Sequence, residues 1–303
     1  MKRRRIGRLV GFVAVLASLA FLFLELRDGV SELSWSSVDG ELALRWLAAI
    51  ALYAVGLAGV HVAWGVAVSR AAPGAGVLLP ALVSARAQIA KYLPGNVAHI
   101  AGRQVLAVRH GWPQAAVMGA TLVEVAGLAL AGALVVGGGT IAGVRVEIDV
   151  SRWVWVVAAA LAVVVVGGVI WMLRRSGGQL RGAAQESGRA APMIVGAYAV
   201  FLVLAGIGQW LLLEGTAFGT VVVAATAAWL VGFLSPGVPA GIGVREAVLA
   251  GTLSMAPEGL AIGLLGFRAA TVLSDLLMFV IGAVWTARLP ASVASRSVVQ
   301  PRQ

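Results

Sequence analysis

The sequence predicts an all-α polytopic membrane protein made of two inverted repeats, each with three transmembrane helices plus one broken re-entrant segment. Three observations carry this prediction. Of the 303 residues, 60% are hydrophobic and only 12% are charged, against about 25% charged in soluble domains; mean hydropathy is +0.94. The apolar residues fall in continuous runs, several long enough for a bilayer crossing of about 20 helical residues, and they do not alternate as barrel strands do. Two shorter apolar runs each end at a Pro-Gly pair, and these breaks lie 142 positions apart.

Six runs read as full crossings: 9–26, 42–68, 113–138, 152–173, 192–213 and 259–287. The first follows Lys2, Arg3, Arg4, Arg5 and Arg8, as a signal peptide would. It ends in FLELRDG rather than at a small-residue cleavage site, so it reads as a retained helix. Runs 77–90 and 220–234 are too short for a comfortable crossing.

The charges orient the chain. The basic N-terminus reads as cytoplasmic, and the loop with Asp28, Glu32, Asp39 and Glu41 as outside. The stretch with Arg70, Arg86, Lys91, Arg103 and Arg109 has no acid and reads as inside. The mixed loop at 145–152 reads as outside, the 174–190 loop with four arginines as inside, and the tail with Arg288, Arg296 and Arg302 as inside. This is the positive-inside pattern, and it predicts a multi-pass cell-membrane protein with both termini cytoplasmic. It also accounts for the net charge of +10 without nucleic acid as a partner.

There is no cysteine, hence no disulfide or thiolate metal site. His61, His99 and His110 are scattered without metal-ligand spacing, and no nucleotide-binding motif occurs. No metal and no cofactor are expected.

The chain divides as a single membrane domain, 1–303, with repeat 1 at 1–142, repeat 2 at 143–287 and a short basic tail at 288–303. The offset of 142 carries Pro94 to Pro236, Gly95 to Gly237 and Arg103 to Arg245, and it carries each hydrophobic run of the first half onto one of the second. With an odd number of crossings per unit, the second unit is inverted. Broken helices at corresponding positions of inverted repeats mark transporters, because irregular backbone at membrane depth must be buried in protein or line a cavity. The breaking residues are Pro94, Gly95, Pro236, Gly237, Gly241 and Gly243. The alternative is that each Pro-Gly is a loop between short helices at head-group level.

Glu124, Arg268 and Asp275 fall inside apolar runs. Charges there are costly and mark a partner or a wet cavity. The offset places Glu124 and Arg268 nearly opposite each other, and the seven-residue spacing puts Arg268 and Asp275 on one helix face. Glu124 and Asp275 read as buried charge partners. The candidate head-group ligands are Lys91, Asn96, Arg103, Arg245, Glu246 and Arg268. Of these, Arg103, Arg245, Glu246 and Arg268 are expected on one cavity, since the arginine fork suits phosphate. Lys91 also reads as a snorkelling interface lysine, and the arginines and Glu246 as structural ion pairs.

The motifs KYLPGNVAHIAGR (91–103) and PAGIGVREA (239–247), in this order and separation, resemble the transmembrane region of lysylphosphatidylglycerol synthases and the stand-alone flippase-like membrane proteins related to it. The similarity spans nearly the whole chain. In that family the second motif is closer to Pro-Gly-Gly-x-Gly-x-x-Glu; here it reads PGVPAGIGVRE, with Glu246 as the matching glutamate and Arg268 as the arginine of the last helix. The resemblance implies lipid transport: translocation of a phospholipid or lipid-linked head group between leaflets. The cytosolic aminoacyl-transfer domain of the synthases is expected to be missing, so the chain is expected not to be an enzyme. A separate synthase or transferase would then be a partner. The alternatives are a membrane enzyme or a non-catalytic partner subunit in cell-envelope lipid or lipid-linked sugar metabolism. The four aspartates, Asp28, Asp39, Asp149 and Asp275, are far apart and form no DxD pair for a metal-dependent glycosyltransferase.

Overall fold

The computed structural model describes residues 39–93, 98–144, 167–168, 171, 174–175, 177–213, 215–234, 241, 243–253 and 257–288. Helix α1 is Gly40–Ala71, α2 Leu78–Ala87, α3 Ala98–Arg109, α4 Gln114–Ile141, α5 Gly178–Gly188, α6 Ala191–Leu211, α7 Phe218–Leu234, α8 Val244–Ala250 and α9 Pro257–Arg288. Short 3-10 turns occupy Pro73–Ala75 and Gln88–Tyr92. No strand occurs among the described residues.

Four of these helices, α1, α4, α6 and α9, are long and apolar enough to cross a membrane. They coincide with the runs at 42–68, 113–138, 192–213 and 259–287 to within three residues at each end. The runs at 77–90 and 220–234 become α2 with its 3-10 extension and α7. The run at 9–26, and nearly all of 152–173, lie outside the described residues.

Local chemistry sets the boundaries. Asp39 caps α1 by accepting from the Leu42 amide at 2.8 Å. Glu41 in the first turn and Arg70 in the last turn oppose the helix dipole. Helix α3 closes through Gly111, φ +72°, which lets the Trp112 amide reach the Ala107 carbonyl at 3.0 Å; this is a left-handed cap that glycine favours. Pro113 then precedes α4, where a missing amide proton costs nothing.

At the centre α1 packs along α6. Around them, α4 lies against α6, α5 and α7, while α9 lies against α1 and α2. The long helix that ends the first half thus contacts the short apolar helix of the second, and the reverse holds for α9 and α2. Without a hydrophobic drive between helices in lipid, close backbone approach and dispersion hold such a bundle together. Helix α2 shows the closeness. A Cβ on Gly65 of α1 would lie 2.5 Å from the Val77 carbonyl oxygen, and one on Gly282 of α9 would lie 2.6 Å from both the Leu82 oxygen and the Arg86 nitrogen. In both cases backbone is in the way and cannot swing aside.

Gly282→Ala is therefore expected to force α9 off α2 and to cost about 1–3 kcal/mol. The measurement is the thermal unfolding midpoint in detergent. Gly59→Ala, where an added Cβ meets nothing within 4 Å, serves as the unchanged control. Equal midpoints for the two variants would refute the close approach.

Candidate functional site

Three carboxylate–cation pairs lie in the interior, and each joins a short segment near a Pro-Gly motif to a long helix. Arg103 on α3 is 3% exposed. Its Nη1 donates to Glu124 Oε2 of α4 at 2.5 Å, and its guanidinium lies over the Trp64 ring, 4.7 Å from the centroid. The second oxygen of Glu124 accepts from the Tyr198 hydroxyl at 2.9 Å. Glu246 on α8 accepts from Arg268 of α9 at 2.5 Å. In the first half the arginine sits on the short helix and the glutamate on the long one; in the second half the polarity is reversed.

The third cluster surrounds Asp275, which is 0% exposed. Lys91 Nζ approaches Asp275 Oδ2 at 2.6 Å, the Tyr92 hydroxyl donates to the same oxygen at 2.6 Å, and Gln88 Nε2 donates to Oδ1 at 3.3 Å. The 3-10 turn Gln88–Tyr92 brings all three donors to one carboxylate: a tighter pitch stacks residues three apart, so Gln88 and Lys91 share a face.

These contacts correct one expectation. Glu124 does not face Arg268: α4 and α9 do not pack side by side, and each charge is satisfied by the short helix just before its own long helix. They also change the reading of Lys91, whose charge meets a buried aspartate rather than the membrane interface.

Two cavities open between the halves. The first is lined by Lys91, His99, Arg103, Glu124, Tyr198 and Arg245, among others. The second is lined by Arg245, Glu246, Arg268, Lys91, Gln209 and Thr271, among others. Lys91, Trp229 and Arg245 form walls of both. The expected single cavity for Arg103, Arg245, Glu246 and Arg268 is thus two adjoining cavities with a shared wall. In the lining of the first cavity Phe201 touches Tyr53, Tyr198 and Trp229 edge-on, with centroids 5.1, 6.3 and 5.6 Å away. This aromatic floor has few rotamers to lose and holds its edges rigidly.

Arg245 lies with its guanidinium over Trp229, 4.8 Å from the centroid. Gly232, one turn beyond Trp229, makes room for it: a Cβ there would lie 2.6 Å from Arg245 Cγ. Gly241 (φ +72°) and Gly243 (φ +77°) both have positive φ, a region that favours glycine. Pro94, Gly95, Asn96, Pro236 and Gly237 lie outside the described residues.

His99, on α3, lines the first cavity, and its Nδ1 is buried without a partner among the described residues. The described residues contain no group of three or more His, Cys, Asp or Glu placed to hold a metal.

Sequence reasoning missed Tyr92, Gln88, Tyr198, Trp64 and Trp229. The available signal was position: Gln88 and Tyr92 flank Lys91 at short spacing, and a lone tyrosine within an apolar run needs a partner for its hydroxyl. No family model matches the chain, and no curated protein matches it significantly.

Asp275→Ala is expected to leave Lys91, with a side chain only 12% exposed, without its countercharge. Breaking a buried pair from one side costs about 3–5 kcal/mol. Adding Lys91→Met should recover part of that loss. A double-mutant cycle on unfolding in detergent checks it; strict additivity would mean that the two residues do not interact.

Proposed function

We propose that the protein is a flippase-like transporter that moves a phospholipid or lipid-linked head group between leaflets. One observation carries the reading: four cations and two carboxylates line two adjoining cavities, with Asp275 paired to Lys91 behind the wall, inside a bundle whose long helices are apolar. Buried ionisable groups at membrane depth are expensive, and they mark a pathway for polar cargo. A head group cannot cross hydrocarbon unaided, and these cavities offer it polar walls.

The reading includes the inverted repeat. Three features support it. The order of long, short, short and long helices recurs in α1–α4 and in α6–α9. The halves exchange partners, α4 on α7 and α9 on α2. The two arginine–glutamate pairs span 21 and 22 residues from corresponding short helices to corresponding long ones. On this reading the two breaks enter from opposite faces and meet between the leaflets, where half-helices characteristically form transporter sites. The resemblance to the flippase-like region of lysylphosphatidylglycerol synthases supports the same class.

The test is translocation of tail-labelled fluorescent lipids by the purified protein in vesicles. Protein-dependent loss of leaflet asymmetry is the expected outcome. No translocation of any lipid tested, with folded protein, overturns the proposal in favour of a partner subunit. Arg268→Lys keeps the charge but loses the planar fork and is expected to slow translocation about tenfold, the scale of one charge-assisted hydrogen bond. A wild-type rate for it would make the Arg268–Glu246 pair purely structural.

Orientation is tested separately. The native chain has no cysteine, and Gln179 is exposed. Gln179→Cys is expected to react with an impermeant thiol reagent only from the cytoplasmic side. Labelling of intact cells from outside would reverse the assignment.

A further inference from the structure

We infer that the shared wall of the two cavities is a site for a phosphodiester carrying a single negative charge and a hydroxylated head group, with Arg245 as its anchor. This rests on the transporter reading and specifies its cargo.

The first argument is a charge balance. Lys91, Arg103, Arg245 and Arg268 face Glu124, Glu246 and Asp275. Arg103 takes Glu124, Lys91 takes Asp275 and Arg268 takes Glu246. Arg245 has no carboxylate among the described residues and stands on Trp229 alone. Among these described side chains one positive charge is left over. In a weakly polarisable interior, net charge is what costs most, so the occupant that best completes the cluster carries one negative charge. A diphosphate overshoots that balance, and a lysylated lipid, whose two amines outweigh its phosphate, adds to the imbalance.

The second argument is the set of hydrogen-bonding groups. Arg245 Nε and Trp229 Nε1 are buried without an acceptor among the described residues. Both are obligate donors, and both residues line both cavities. They suit phosphate oxygens. Glu246 Oε2, in the second cavity, is buried without a donor among the described residues, while its other oxygen holds Arg268. It calls for a ligand donor near the phosphate. A hydroxyl supplies that donor and keeps the balance at zero; an ammonium restores the surplus positive charge. Glycerol and sugar head groups on a phosphodiester both meet the description.

The test is competitive lipid retention by the purified full chain, read by native mass spectrometry. Phosphatidylglycerol, a polyprenyl phosphosugar, phosphatidylethanolamine, lysylphosphatidylglycerol and a polyprenyl diphosphate are presented at equal concentration. Either or both of the first two are expected to be retained about tenfold over the others, as one charge-assisted hydrogen bond implies; which one separates a bulk phospholipid from a lipid-linked sugar as the source. Arg245→Gln should abolish the preference. Trp229→Phe, which keeps the ring and loses the N–H, should reduce it severalfold and covers the case in which Arg245→Gln does not fold. Equal retention of all five lipids, preference for the lysyl lipid or the diphosphate, or a preference unchanged in the folded variants overturns the inference. The outcome is independent of the vesicle assay: preference without translocation refutes the transporter reading alone, and translocation without preference refutes this inference alone.

Discussion

A carboxylate with no exposure at all sits midway along the last long apolar helix, and the architecture on that side follows from satisfying it. Asp275 draws a lysine, a tyrosine and a glutamine from the 3-10 turn that precedes the first Pro-Gly pair in the sequence. Taking a carboxylate out of water costs several kcal/mol, and only close donors return it. The turn must therefore lie against α9, and α2, which leads into it, must lie there too. Gly282 permits that approach where any side chain would meet the backbone of α2. Charge and close packing thus specify the same contact.

The Arg103–Glu124 pair performs the same task on the other side, with Trp64 beneath the guanidinium and Tyr198 on the second carboxylate oxygen. A carboxylate that accepts from two directions holds its arginine in one orientation. Between these anchors the aromatic floor of Tyr53, Phe201 and Trp229 joins α1, α6 and α7. Dispersion and ring-edge contacts are available inside a membrane, where the hydrophobic effect between helices is not. The cavities lie where polar and aromatic groups meet. Arg245 lies at their common wall because Trp229 and Gly232, three residues apart on α7, form a flat face and a gap for it.

The spanning helices were legible because their signal is local. A continuous apolar stretch of sufficient length becomes a helix in lipid, since a helix pairs its own backbone groups and unpaired ones are not tolerated there; hence α1, α4, α6 and α9 coincide with their runs. The short runs were legible for the same reason, bounded by proline and glycine. The residues of the two motifs stood out as polar groups in an apolar chain, and Lys91, Arg103, Arg245, Glu246 and Arg268 all line the cavities.

The sequence by itself determined the class of solvent, the helices and the set of charges that need partners, because each depends on a residue's own chemistry and its near neighbours. Only the tertiary structure decided who pairs with whom. The offset suggested Glu124 with Arg268, but spatial neighbours follow from how helices pack, and α4 and α9 lie on different sides of the α1–α6 core. Arg103 reached Glu124 and Lys91 reached Asp275 instead, leaving Arg245 on its tryptophan. A charge chooses the nearest countercharge in space, and distance in space across 184 residues of chain, as between Lys91 and Asp275, is fixed by packing alone.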